Sequence, residues 1–140
     1  MKILHRLARL GTIAVGLPVA CKHGGSLSGY TQIPATSLRD LLAGDPGLLL
    51  VDVRTPAEWV PVRVPGVKEF IPHDQISERV SELGAQPEKP IYLICRSGHR
   101  SSVAVASLAK LGYKQAFSVE GGTNAWVAAG YPTESGPIPK

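Results

Sequence analysis

Cysteine, methionine and aromatic residues are all scarce in this chain of 140 residues. It has two cysteines, one methionine and only 6% Phe, Trp and Tyr. Two cysteines, Cys21 and Cys95, are too few for a disulfide framework. The four histidines, His5, His23, His73 and His99, are scattered, and none stands with cysteine at metal-ligand spacing. Sustained hydrophobic runs are also missing. The longest, Leu10 to Ala20, holds about eleven residues, whereas a membrane helix needs about 20. There is no internal repeat and no glycine-rich phosphate loop. Acidic residues are absent before residue 21, where Lys2, Arg6 and Arg9 stand. Without these three cations the net charge of +4 falls to +1, with 12 basic residues against 11 acidic. The basic balance therefore belongs to the start of the chain and gives no support for nucleic-acid binding.

Residues 1–21 read as a secretory segment. A cationic start leads into the apolar run from Leu10, and Cys21 follows Ala20 directly. This order is similar to a bacterial lipoprotein signal, in which the cysteine is lipidated and heads the mature chain. Pro18 departs from that pattern. Residues 22–29, rich in Gly and Ser, read as a flexible linker. The expectation is an exported protein of a bacterial cell envelope, facing the periplasm, with Cys21 a candidate lipid anchor.

From residue 30 the pattern alternates between strand and helix. Tyr30–Ile33 reads as an edge strand closed by Pro34, and Ser37-Leu38-Arg39-Asp40 has capping-box spacing. Leu38, Leu41 and Leu42 then form an apolar helical stripe. Leu48 to Val53 is a continuous apolar strand broken only by Asp52, as in a parallel sheet covered on both faces. Pro56 suits the first turn of a short helix through Trp59. A short strand is expected over Val67–Ile71 and a helix near Asp74–Leu83, with Ile76, Val80 and Leu83 inward. Strands at Ile91–Ile94 and Phe117–Val119 and a short helix over Asn124–Ala129 complete the domain, residues 30–133. Residues 134–140, rich in Pro and Gly, read as a frayed tail. The alternation predicts an α/β fold with a mainly parallel central sheet.

The chemistry centres on Ile91 to Ser102. Four apolar residues form a strand, and from Ser102 the spacing turns helical, with Gly112 as its stop. Between them Cys95 opens a tight polar loop. Such a loop directs backbone N–H groups inward, beside those of the helix start, and makes an anion cradle. Gly98 lets the backbone turn, and Arg96 and Arg100 add positive charge. Helix start and arginines are expected to lower the thiol pKa. A structural cysteine needs no such flanks, so Cys95 reads as a nucleophile. Asp52 is costly to bury unpaired. Asp52 and Arg54 are expected to hold the loop or to satisfy a strand end, and Glu58, Trp59 and Trp126 to be structural.

Cys95-Arg96-Ser97-Gly98-His99-Arg100-Ser101 resembles the active-site loop of single-domain rhodaneses, the thiosulfate-type sulfurtransferases. Val51–Trp59 is similar to that family's Asp-Val-Arg segment with its Glu-Trp turn. Glu120–Trp126 with Gly130-Tyr131-Pro132 resembles its Gly-Gly-x-x-Ala-Trp signature. The resemblance implies about five strands flanked by helices, no cofactor, and sulfur moving from thiosulfate to cyanide or a thiol through a Cys95 persulfide. Arg96, Ser97, Gly98, His99, Arg100 and Ser101 would bind substrate, with small sulfur anions, thiols and an acceptor protein as partners. Membrane attachment would run through the N-terminus only. The chain departs from the family at Val62-Arg63-Val64-Pro65-Gly66-Val67, where rhodaneses usually read Gly-His-Ile-Pro-Gly-Ala. His99, uncommon at its position, either tunes acceptor choice or faces solvent. Two other readings stay open. One is a non-catalytic module that binds persulfide or a partner. The other, a cysteine phosphatase or arsenate reductase, fits less well, because Ser101 stands where those loops carry arginine.

Overall fold

A computed structural model describes residues 31–138. The leader over 1–21 with Cys21, the linker over 22–29 and Tyr30 lie outside the described residues. Five parallel strands form one sheet in the order β1-β5-β4-β2-β3. They are β1 (Thr31–Pro34), β2 (Leu50–Asp52), β3 (Glu69–Phe70), β4 (Ile91–Ile94) and β5 (Ala116–Glu120). The helices are α1 (Ala35–Gly44), α2 (Pro56–Trp59), α3 (His99–Lys110) and α4 (Gly122–Ala128). Parallel strands need crossovers, and these place helices on both faces.

Alternation along the central strands divides the core in two. Val51, Val53, Ile91 and Leu93 pack with Ala104, Val105 and Leu108 of α3 and with Ile76 and Leu83. Leu48, Leu50 and Ile94 face the other way, onto Ala35 and Leu38 of α1 and Trp126 of α4. Each fully buried aliphatic side chain, such as Leu38, contributes about 1.5–3 kcal/mol.

Several expected elements differ in detail. The Ser37–Asp40 capping box does not form: α1 begins at Ala35, behind Pro34, and has no side-chain cap. Leu41, expected on the apolar stripe, is exposed. The helix expected near Asp74–Leu83 is two 3₁₀ turns, His73–Gln75 and Val80–Leu83. Ile76 and Leu83 still point inward, and Val80 is half-buried. α3 starts at His99, three residues before Ser102, and buries Ser101 and Ser102 while Val103 faces solvent.

The expected frayed tail is pinned at its start. Arg63 and Glu134 form an antiparallel bridge, and the Gly136 N–H donates to the Val60 carbonyl. The Arg63 guanidinium, almost fully buried, donates to the carbonyls of Trp59, Gly136 and Pro137. It occupies the position where the expected histidine is missing, and its reach captures the tail.

Candidate active site

Three strands deliver the site at their carboxyl ends, where open parallel sheets gather ligands. Ile94 ends β4 and Cys95 follows it. Asp52 ends β2, and Glu120 ends β5 just before α4. Cys95 is buried, with 1% of its surface exposed. The Gly98 N–H donates to its Sγ at 3.0 Å, and the Ser101 Oγ lies 3.4 Å from it. Gly98 makes that turn in the left-handed region, at φ +103°, as the residue preceding α3.

Burial pushes the Cys95 thiol up, but hydrogen bonds outweigh it. The Ser101 hydroxyl and the N–H groups of Ser101, Gly98 and Ser97 hold the thiol below its ordinary value. The lowering comes first from the loop and the helix start, and of the two arginines expected to share it Arg100 attracts the thiolate by charge.

Arg100 does not face an open cradle. Its guanidinium grips Glu58 with a two-pronged bond, at 2.6 and 2.8 Å. The hydrogen bonds from Arg100 hold the Glu58 carboxyl down at about 2, assisted by the Thr55 N–H and hydroxyl against partial burial. Glu58 also closes a capping box on Thr55, so α2 is anchored at its first turn. Sequence reasoning left Glu58 as merely structural. Thr55-x-x-Glu58 before a Trp was the readable signal.

Asp52 and Arg54 form a buried fork, with a closest approach of 2.6 Å. Arg54 extends it to the carbonyls of Glu58 and Val62, at 3.2 and 2.8 Å. The pair therefore ties the end of β2 to the segment that carries Glu58. Every polar side-chain atom buried among the described residues has a partner.

A second hydroxyl cluster lies beneath the loop. Ser118 on β5 contacts Ser101 at 2.7 Å, and Ser102 donates to the Gly98 carbonyl at 2.7 Å. Thr123 was also missed. Its N–H and hydroxyl both donate to the Cys95 carbonyl, at 2.8 and 3.1 Å, and the Asn124 N–H donates to the Arg96 carbonyl at 3.0 Å. Ser118 stood between apolar strand residues, which is itself a signal, because a buried hydroxyl needs partners. Arg96, Ser97 and His99 are exposed. Arg96 and Ser97 belong to the loop, and His99 is the first residue of α3.

A model of the rhodanese-like domain matches residues 34–129. The chain belongs to the rhodanese-like family. A sulfurtransferase of Allochromatium vinosum is 39% identical over 101 residues, 72% of this chain and 92% of that protein. The thiosulfate sulfurtransferase GlpE of Pseudomonas fluorescens is 28% identical, over 78% of this chain and 94% of its own. Among solved structures, a rhodanese-related protein of Thermoplasma volcanium superposes with a TM-score of 0.65 at 30% identity. That match covers 75% of this chain and 98% of the other. In this rhodanese-like domain, relatives named for sulfur transfer and a buried cysteine in an N–H-lined loop point to the same general chemistry.

Proposed function

We propose that the chain is a thiosulfate-type sulfurtransferase that works through a Cys95 persulfide. One observation carries this reading: the Cys95 Sγ accepts the Gly98 N–H at 3.0 Å in a loop that favours the thiolate. The thiolate attacks the outer sulfur of thiosulfate. A bond forms to that sulfur as the sulfur–sulfur bond of the donor breaks, and sulfite leaves with the electron pair. The new terminal sulfur carries negative charge, and the loop N–H groups and the start of α3 are preorganised to stabilise it. An acceptor nucleophile, cyanide or a thiol, then removes the sulfur and regenerates the Cys95 thiolate. Two half-reactions joined by a covalent intermediate make ping-pong kinetics the expected pattern. The phosphatase reading loses further support, because Arg100 is bound to Glu58.

Mass spectrometry of protein treated with thiosulfate tests the proposal. Wild type should gain the mass of one sulfur atom on the Cys95 peptide, reversed by cyanide, and Cys95→Ser should gain none. Unmodified Cys95 in folded protein would overturn the reading.

A further inference from the structure

Beside the catalytic loop runs a groove of about 570 Å³ between the α2 segment and α4. That volume falls within the range of pockets for small organic molecules and far exceeds the needs of cyanide or thiosulfate. Ala57, Pro61 and Val62 line one wall, and Val127 and Ala128 the other. Val127 leaves 49% of its surface exposed and presents it to the groove.

Three charged residues border the groove, and two are already neutralised. Arg54 is committed to Asp52, and Glu58 to Arg100. Arg96 is different: among the described residues no carboxylate pairs with it. Its carbonyl is held by the Asn124 N–H, so the side chain projects from a fixed backbone directly after Cys95. The groove therefore offers apolar walls and one uncompensated cation next to the sulfur-carrying residue.

We propose that this groove is the acceptor subsite and that it selects an aliphatic mercaptocarboxylate. The inference rests on the sulfurtransferase reading and deepens it. The carboxylate meets Arg96, the aliphatic stem lies on Val62 and Val127, and the thiol reaches the loop. The acceptor thiolate attacks the outer sulfur of the Cys95 persulfide. A new sulfur–sulfur bond forms to that atom as its bond to the Cys95 Sγ breaks. The electron pair returns to Cys95 as thiolate, and the acceptor departs as an organic persulfide. No oxidant or reductant enters.

A single-turnover experiment isolates this step from thiosulfate binding. Full-length protein is loaded with thiosulfate, freed of donor, and mixed with mercaptohexanoate or mercaptohexanol, which share a thiol and a stem. Wild type should discharge to the carboxylate about tenfold faster at subsaturating acceptor, the effect of one charge-assisted contact. In Arg96→Gln that ratio should fall to near one, and Arg96→Lys should keep most of it. Val127→Asn should reduce the preference for mercaptohexanoate over mercaptoacetate severalfold. Ratios within each variant cancel any general loss of activity. A wild-type ratio near one, or a ratio unchanged in Arg96→Gln, overturns the subsite while leaving the persulfide chemistry standing. Failure of wild type to load sulfur on Cys95 overturns both.

Discussion

Ser101 sits where three demands meet. Its Oγ touches the Cys95 Sγ at 3.4 Å, the Gly98 carbonyl at 3.1 Å and the Ser118 Oγ at 2.7 Å. A hydroxyl has one proton to give, so the three cannot all be donor bonds from Ser101. While Cys95 is a thiol, the proton can rest on the Gly98 carbonyl. Once the thiolate forms, rotation toward sulfur gains a charge-assisted bond, and Ser102 keeps the carbonyl satisfied at 2.7 Å. Removing the hydroxyl removes a group that favours the charged form, so the sign is upward. In Ser101→Ala the pH midpoint for thiolate formation, followed by ultraviolet absorbance or iodoacetamide alkylation, should move to higher pH. Below that midpoint, alkylation and sulfur loading should slow about tenfold or more, the worth of one hydrogen bond to a charged group. An unmoved midpoint would assign the lowering to backbone N–H groups alone.

Among the elements, α4 controls the loop although it carries no reacting atom. Its first residues bind the carbonyls of Cys95 and Arg96, and Gly122 makes the approach close enough. Gly122 has φ +56°, and a Cβ there would overlap the Cys95 carbonyl oxygen and come within 2.7 Å of the Arg96 carbonyl group. Gly122→Ala must push α4 off the loop or strain the backbone, at about 1–3 kcal/mol for the conformation alone. The expected result is a Tm lower by on the order of 10 °C and a severe loss of turnover. A native Tm would show that the loop tolerates the shift. What the sequence made legible follows the same division. Ile91–Ile94 and Leu48–Val53 were readable because buried parallel strands are continuously apolar, and Cys95 because its loop is dense in Gly, Ser and Arg. The capping box at Ser37–Asp40 misled because Pro34 starts the helix upstream, while the same spacing at Thr55–Glu58 is real. The break at Asp74–Leu83 and the partnership of Glu58 with Arg100, 42 residues apart, depend on tertiary contacts that no local pattern encodes.

Across the whole molecule, Arg63 joins distant parts of the chain. Its guanidinium is held by carbonyls from both the α2 segment and the tail, with Glu134 at 3.7 Å as a looser ionic partner. Removing residues 134–140 should strand much of that buried charge and cost about 1–3 kcal/mol in denaturant unfolding. Arg63→Met in the shortened chain should recover part of the loss, because the unpaired charge is gone. Equal stability with and without the tail would mean that solvent replaces those carbonyls freely. The parallel sheet has one further consequence. β1 begins at Thr31, in register with Phe117 and hence with Tyr92, at the amino ends of the strands, whereas Cys95 leaves the carboxyl end of β4. The chain thus enters the domain at the pole opposite the sulfur. A leash attached ahead of Thr31, to a lipid or to any other support, would hold the blind end and leave the reactive pole turned outward, open to whatever diffuses past.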